Sequence, residues 1–141
     1  MTKYLDIRAG KKAPALIRDN GFHPDQVQIV AGAAGGPKWL VLYALDRLLF
    51  GELFKDRTTP LHLIGSSIGA WRFSAASTAN PVASVDNLKD AYINQTYESK
   101  PSPQDVSDEG RRIIDCFLGA DKIGEVLTHP HFRLNMVTAR S

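Results

Sequence analysis

The pattern Gly-x-Ser-x-Gly at residues 65–69 constrains this chain more than any other feature. A short apolar run precedes it, and a segment of small and apolar residues, 70–76, follows it. This order predicts a strand, a sharp turn and a helix, with Ser67 at the apex of the turn. A side chain at Gly65 or Gly69 would collide across such a bend. Ser67 is therefore a candidate nucleophile, and the alternative is a plain turn in which small residues end a strand.

A glycine-rich loop follows the strand predicted before this one. Residues 26–31 alternate and contain β-branched side chains, which predicts a strand, and Gly35 and Gly36 lie in the loop 32–38 that comes next. Strand, loop, helix and strand form a right-handed crossover with parallel strands, so both carboxyl ends lie at one sheet edge. The loop and Ser67 then face one crevice. The backbone N–H groups of the glycine loop are suited to hold the oxyanion that forms in acyl transfer. The alternative is a tight strand-to-helix turn that binds no ligand.

Hydrophobic periodicity and turn residues predict the other elements. They are, in chain order, helix 13–20, strand 26–31, helix 39–50, strand 61–64, helix 70–76, helices 86–97 and 106–118, and strand 132–139. Only Asp46 and Arg47 interrupt the apolar helix 39–50, so we expect it to be buried on most of its circumference. The 141 residues, 43% of them hydrophobic, predict one α/β domain with a core of its own.

The two loops together resemble those of the patatin-like phospholipase family. Its members carry a Gly-Gly-x-Arg/Lys-Gly loop followed by a Gly-x-Ser-x-Gly elbow, and this chain has Ala-Gly-Gly-Pro-Lys at 34–38 and Gly-Ser-Ser-Ile-Gly at 65–69. The resemblance covers about residues 26–79. It implies a three-layer α/β fold around a parallel sheet, and a serine acyl hydrolase, a phospholipase or lipid esterase, that takes part in lipid degradation.

The resemblance also implies roles for single residues. Ser67 is the nucleophile of a Ser-Asp dyad, Gly35 and Gly36 belong to the oxyanion hole, and Lys38 is the basic residue of the loop. Trp39 departs from the family, which usually has a glycine at that position. The substrate would be a lipid or another acyl ester, without a metal or an organic cofactor.

The dyad aspartate of the family lies far downstream in an Asp-Gly-Gly or Asp-Gly-Ala motif, and this sequence contains no Asp-Gly pair. The strand predicted at 132–139 would also leave an unpaired edge. We therefore expect residues 1–141 to be the N-terminal part of a single patatin-like domain, truncated before the aspartate. Because a serine hydroxyl without a base is a poor nucleophile, a non-catalytic fragment or interaction module of the same fold is the alternative.

The histidines offer no obvious substitute for that base. His62 would have to point backward from the strand before Ser67, and His23 precedes the first strand, at the other edge of the sheet. His129 and His131 precede the last strand, also at the amino-terminal edge. They lack the nearby carboxylates or cysteines of a metal site, so we expect them to lie in a solvated loop.

Composition and charge exclude other classes of protein. The formal charge is +2, and no basic run is interleaved with aromatic residues, so we expect no nucleic-acid partner. Cys116 is the single cysteine, which excludes a disulfide framework within the chain. The charged first residues and the absence of a long apolar run predict a cytoplasmic protein, with peripheral membrane contact and pairing of two copies through the open sheet edge as further possibilities.

A phosphate-binding loop is the rival interpretation of residues 32–39. The segment is a near miss to Gly-x4-Gly-Lys-Ser/Thr. Pro37 replaces a glycine whose N–H would help to cradle phosphate, and Trp39 replaces the hydroxyl that would hold magnesium. Ala34 stands where the dinucleotide pattern needs a glycine. Nucleotide binding is therefore the least favoured of the three hypotheses, after a serine acyl hydrolase and a non-catalytic fragment or interaction module.

Overall fold

Three parallel strands form one open sheet in a computed structural model that describes residues 10–11, 13–97 and 100–139. Strand β1 is Ile29–Gly32, β2 is Leu61–Ser66 and β3 is Phe132–Val137, with β2 in the centre. Gly32 lies beside Gly65 in the register of the first pair. The α/β class and the parallel sheet that the sequence predicts are confirmed.

Helical segments connect the strands. They are α1 (Ala13–Asn20), a 3-10 turn (Pro24–Gln26), a longer 3-10 segment (Gly36–Leu42), α2 (Tyr43–Leu48), a π-helical turn (Leu49–Leu53), α3 (Ile68–Ala76), α4 (Pro81–Ile93), α5 (Pro103–Phe117) and α6 (Gly119–Leu127). The Asn80 side chain accepts a hydrogen bond from the N–H of Ala83 at the start of α4, and Ser102 and Asp105 form a reciprocal capping box on α5.

The core consists of two apolar clusters, one on each side of α3. The cluster between α3 and the sheet contains Phe50, Phe54, Leu61, Leu63, Phe73, Ala76 and Phe132. The cluster between α3 and the outer helices contains Trp39, Ile68, Ala75, Val85, Leu88, Ala91, Ile113 and Phe117. Helix α3 is therefore buried on nearly all sides, which holds the turn at its first residue in a fixed place.

The opposite face of the sheet is uncovered among the described residues. Its side chains are exposed: Ile29, Ala31, His62, Ile64, Arg133, Asn135 and Val137. The strand order explains this, because successive right-handed crossovers that move in one direction across a sheet place every connection on the same face. The described residues thus supply one of the two helical layers of the expected three-layer arrangement.

Several predicted boundaries were wrong. Strand β1 begins at Ile29 rather than at residue 26, because Pro24–Gln26 forms a 3-10 turn capped by His23. Helix α4 begins at Pro81 rather than at residue 86, because proline fits the first turn of a helix and the Asn80 side chain caps it. Helix α6 was not predicted: Gly119 adopts a φ of +57°, and the chain continues into a new helix instead of a loop.

The segment predicted as one buried helix, 39–50, differs most from expectation. It is divided among 3-10, α-helical and π-helical turns, and the side chain of Val41 is 83% exposed. Leu45 and Leu48 are also exposed, whereas Asp46 is only 1% exposed. Trp39 and Phe50 at the two ends are buried as predicted. The middle of the segment is not buried in the predicted way, because the charged Asp46 lies inside the protein with a charged partner.

None of the helices within the described ranges is both long and apolar enough to cross a lipid bilayer.

Candidate functional site

Ser67 occupies a strained turn between β2 and α3. Its φ of 53° and ψ of −126° make it the one non-glycine residue with positive φ in the described part of the chain. Its backbone carbonyl accepts hydrogen bonds from the N–H groups of Ala70 and Trp71, and its side chain is exposed. Strain of this kind, about 1–3 kcal/mol, persists only where the surroundings impose it. The sharp turn that the sequence predicts is present, with the hydroxyl open to solvent.

Both glycines of the elbow are required because other backbone segments lie too close to leave space for a Cβ atom. A Cβ at Gly65 would lie 2.6 Å from the backbone N and Cα of Ala70. A Cβ at Gly69 would lie 2.5 Å from the carbonyl carbon of Gly32 and 3.1 Å from the carbonyl oxygen of Ala33. The first contact is across the bend, and the second is with the end of β1. Gly69 therefore lets the first turn of α3 pack directly on the strand that carries the glycine loop.

The glycine loop lies at the same edge of the sheet as Ser67, because β1 and β2 are parallel and in register at their carboxyl ends. Gly36 has a φ of +51°, which favours glycine, whereas Gly35 is extended at −176°. Gly36 begins the 3-10 segment, and the N–H of Lys38 bonds back to the carbonyl of Gly35. Within the described ranges the N–H groups of Gly35 and Gly36 donate to no acceptor. Both amides are therefore available at this edge.

Trp39 anchors the loop at the position where the resembled family has a glycine. Its side chain is buried and packs edge-on against Tyr92, with ring centroids 5.8 Å apart. The indole Nε1 has no hydrogen-bond partner in the part of the chain that the structure describes. Lys38, the preceding residue, is exposed and forms no ion pair with a described residue. The indole at residue 39 supplies no hydroxyl that could hold magnesium, which a phosphate loop requires at this position.

An apolar groove of about 460 Å³ adjoins these residues. Gly35, Lys38 and Ile68, the residue after Ser67, contribute to its lining. Most of the remaining wall is apolar, from β1, the crossover helix and α3: Val30, Leu42, Leu45, Leu49, Phe50 and Phe73. The groove thus joins the glycine loop to a hydrophobic surface large enough for part of a small apolar ligand.

Two charged residues in the wall of the groove form an ion pair that the sequence did not reveal. Asp46 on α2 accepts hydrogen bonds from Nε and Nη2 of Arg72 on α3, both 2.6 Å long. The two side chains are only 1% and 8% exposed. A signal was present, since each residue interrupts an apolar helical segment and buried charges require partners. The partner was hidden because it lies 26 residues away.

The next residue, Arg47, forms a different pair. It contacts Asp86 on α4, which also accepts a hydrogen bond of 2.7 Å from the Tyr43 hydroxyl. The side chains of Arg47 and Asp86 are each more than a third exposed. Hydrogen bonds from the Arg47 guanidinium lower the pKa of Asp86. Helix α2 is therefore tied to α3 by one residue and to α4 by the next.

The described residues bring no general base to Ser67. His62 points to the uncovered face of the sheet, and His23 caps a turn before β1. His129 lies at the amino-terminal end of β3, where its Nδ1 accepts the N–H groups of His131 and Phe132 at 3.2 and 2.8 Å. Burial, followed by the nearby charges, lowers the pKa of His129 and keeps this acceptor neutral. The interpretation of the histidines as remote from Ser67 is confirmed.

Other polar clusters in the described part of the chain do not converge on this edge. No three histidine, cysteine, aspartate or glutamate side chains there are grouped as metal ligands. Cys116 is an exposed free thiol on α5. The structure thus brings together Ser67, Gly35, Gly36 and Lys38 around one sheet edge, supported by Gly65 and Gly69.

The comparisons with known proteins add no relative: no family model, no curated protein and no solved structure matches this chain.

Proposed function

We propose that this chain is the serine-bearing part of an acyl hydrolase that cleaves acyl esters of lipids, in a three-layer fold of the patatin-like type. The observation that carries the proposal is the exposed Ser67 on a strained strand-to-helix turn, beside a glycine loop at the same sheet edge. Strain and solvent access together are typical of a nucleophile, because a structural serine has no need of either.

In the proposed reaction the Ser67 hydroxyl attacks the ester carbonyl. A carboxylate accepts its proton and passes it to the oxygen of the leaving alcohol. The same carboxylate then takes a proton from water, which hydrolyses the acyl-serine, and returns that proton to Ser67. The N–H groups of Gly35 and Gly36 hold the developing oxyanion, a contribution worth about 3–4 kcal/mol per donor in related chemistry. We place this carboxylate outside the described residues, since no carboxylate among them forms a hydrogen bond with the Ser67 side chain.

Lipid esters are favoured as substrates by the groove beside the loop. Its apolar wall suits an acyl chain, and the exposed Val41, Leu45 and Leu48 on the adjoining helix extend the apolar surface outward. Such a surface also supports peripheral contact with a lipid aggregate. Lys38, exposed at the rim, would meet an anionic head group; by the resemblance it alternatively orders the loop.

A fluorophosphonate that carries a short alkyl chain tests the proposal, because it phosphonylates activated serines. The longest form of the protein that its gene encodes is labelled beside the 141-residue chain, together with Ser67→Ala and the neighbouring control Ser66→Ala. We expect labelling of the longest wild-type form and of Ser66→Ala, none of Ser67→Ala, and negligible labelling of the 141-residue chain. Equal labelling of wild type and Ser67→Ala, or no labelling of the longest form, would refute the assignment.

A second candidate is a non-catalytic piece of the same fold that pairs with a second copy of this chain. It is favoured by the edges of the sheet at β1 and β3, which no other described strand pairs, and by the face that no described helix covers. Analytical ultracentrifugation of the 141-residue chain tests it: this candidate requires a concentration-dependent dimer, and a monomer at all concentrations would contradict it.

A further inference from the structure

The ion pair between Asp46 and Arg72 joins the two chain segments on which the proposed serine chemistry depends. Asp46 follows the glycine loop without a break in helical structure, through the segment Gly36–Leu42 and the first turn of α2. Arg72 lies five residues after Ser67, in the second turn of the helix that begins at Ile68. The pair therefore connects the oxyanion loop and the nucleophile through two short, rigid pieces of helix.

The geometry of the pair restricts movement in more than one direction. Two parallel hydrogen bonds, from Nε to Oδ2 and from Nη2 to Oδ1, fix the orientation of both side chains as well as their distance. Both groups are buried in the wall of the groove that Gly35 and Ile68 also line. Sliding or rotation of α2 against α3 would break these bonds inside the protein, where water cannot replace them.

Stability alone is a poor explanation for such a pair. Removing two charges from water costs about as much as their attraction returns, and well-packed apolar residues of similar volume often serve equally well or better. The surroundings of the pair are otherwise apolar, so a hydrophobic contact between α2 and α3 would be the simpler solution. What the pair adds to an apolar contact is a fixed register between the two helices.

We propose that Asp46 and Arg72 are positioning residues that hold the amide donors of Gly35 and Gly36 in register with the Ser67 hydroxyl. This inference rests on the proposed function. Neither side chain touches the reacting atoms, and both act through the helices that they join. An oxyanion hole must meet the nucleophile within a fraction of an ångström, and a misplacement of 1 Å costs about a hundredfold in rate.

A double substitution separates positioning from stability. Asp46→Val with Arg72→Met replaces the pair by an apolar contact of similar volume in the longest form of the protein. The matched control, Arg47→Met with Asp86→Val, removes the neighbouring pair that joins α2 to α4 instead of α3. For each variant the rate constant of phosphonylation, the affinity for the probe and the folded fraction are measured, and the rate is expressed per folded molecule.

We expect the Asp46/Arg72 variant to fold with a Tm within about 5 °C of wild type. Its phosphonylation rate constant should fall at least about tenfold while the affinity for the probe changes less than about twofold. The Arg47/Asp86 control should keep its rate constant within about twofold of wild type. Should the double variant fail to fold, Arg72→Lys provides the same test, because it keeps the charge but loses the paired hydrogen bonds.

A rate constant per folded molecule that equals wild type in the Asp46/Arg72 variant, or in Arg72→Lys when that is the variant used, would overturn the positioning role and leave the Ser67 assignment intact. An equal loss in the control would also overturn it, because the effect would then be general to α2. Absence of Ser67-dependent labelling in wild type would reject the proposed function, and the positioning role with it.

Discussion

Replacement of Gly69 by alanine tests whether the elbow is built on direct backbone contact. The added Cβ would lie 2.5 Å from the carbonyl carbon of Gly32, and carbon atoms pack at about 3.5–4.0 Å, so the first turn of α3 must move away from β1 by about 1 Å. No side-chain rotation can relieve the contact, because both partners are backbone. Overpacking costs about 1–3 kcal/mol, and this site belongs at the upper end. The gain in helix propensity returns up to about 1 kcal/mol.

The expected net loss is therefore about 2 kcal/mol or more, which lowers the urea midpoint by about 1 M at an m-value near 2 kcal/mol/M. Urea unfolding followed by circular dichroism measures it. Gly124→Ala in α6 is the matched control, since no atom lies within 4 Å of its added Cβ, and it should stabilise the protein by up to about 1 kcal/mol. Equal midpoints for Gly69→Ala and wild type, with Gly124→Ala raised as expected, would refute the reasoning.

Two further predictions concern the glycine loop and the base of β3. Gly36→Ala should cost about 1–2 kcal/mol in unfolding free energy from its positive φ alone, whereas Gly35→Ala, extended and with no atom closer than 3.9 Å, should be neutral; equal losses would contradict this. The lowered pKa of His129 means that the unfolded chain binds more protons below its ordinary value of 6.5. The unfolding free energy should then fall as the pH drops from 7.5 to 5, and His129→Asn, which keeps an acceptor, should show a smaller fall; an identical pH profile for both proteins would count against this role.

The elbow could be predicted from the sequence because the pattern of glycines around Ser67 is local, although one of the contacts that require it is not. Gly65 is required by contacts with Gly69 and Ala70, within five residues, whereas Gly69 is required by its packing on Gly32 and Ala33 of the neighbouring strand and loop. The shared sheet edge follows from the handedness of the crossover, which holds for nearly all such units. Local pattern and one general rule were thus sufficient to place Ser67 beside Gly35 and Gly36.

The features that escaped prediction depend on contacts between distant elements. Hydrophobic periodicity predicts that a charged residue such as Asp46 lies on the surface. Its partner Arg72 is 26 residues away and comes into contact with it only in the folded protein. Pro81 lies between the predicted helices 70–76 and 86–97, and proline is also favoured in the first turn of a helix, where Asn80 supplies the cap. Gly119 follows the predicted helix 106–118, a position typical of a glycine that ends a helix, but its left-handed backbone joins α5 to α6 directly. In each case a local signal had two meanings.

The order of the two charges at residues 46 and 47 also fixes how α2 is rotated about its own axis. Adjacent helical residues point about 100° apart, and here they face partners of opposite sign on α3 and α4. A turn of the helix by one residue in one direction would bring Arg47 against Arg72, and in the other direction Asp46 against Asp86. Like charges therefore oppose both errors, so this dipeptide specifies the angular setting of the helix that the apolar pattern of its neighbours leaves ambiguous.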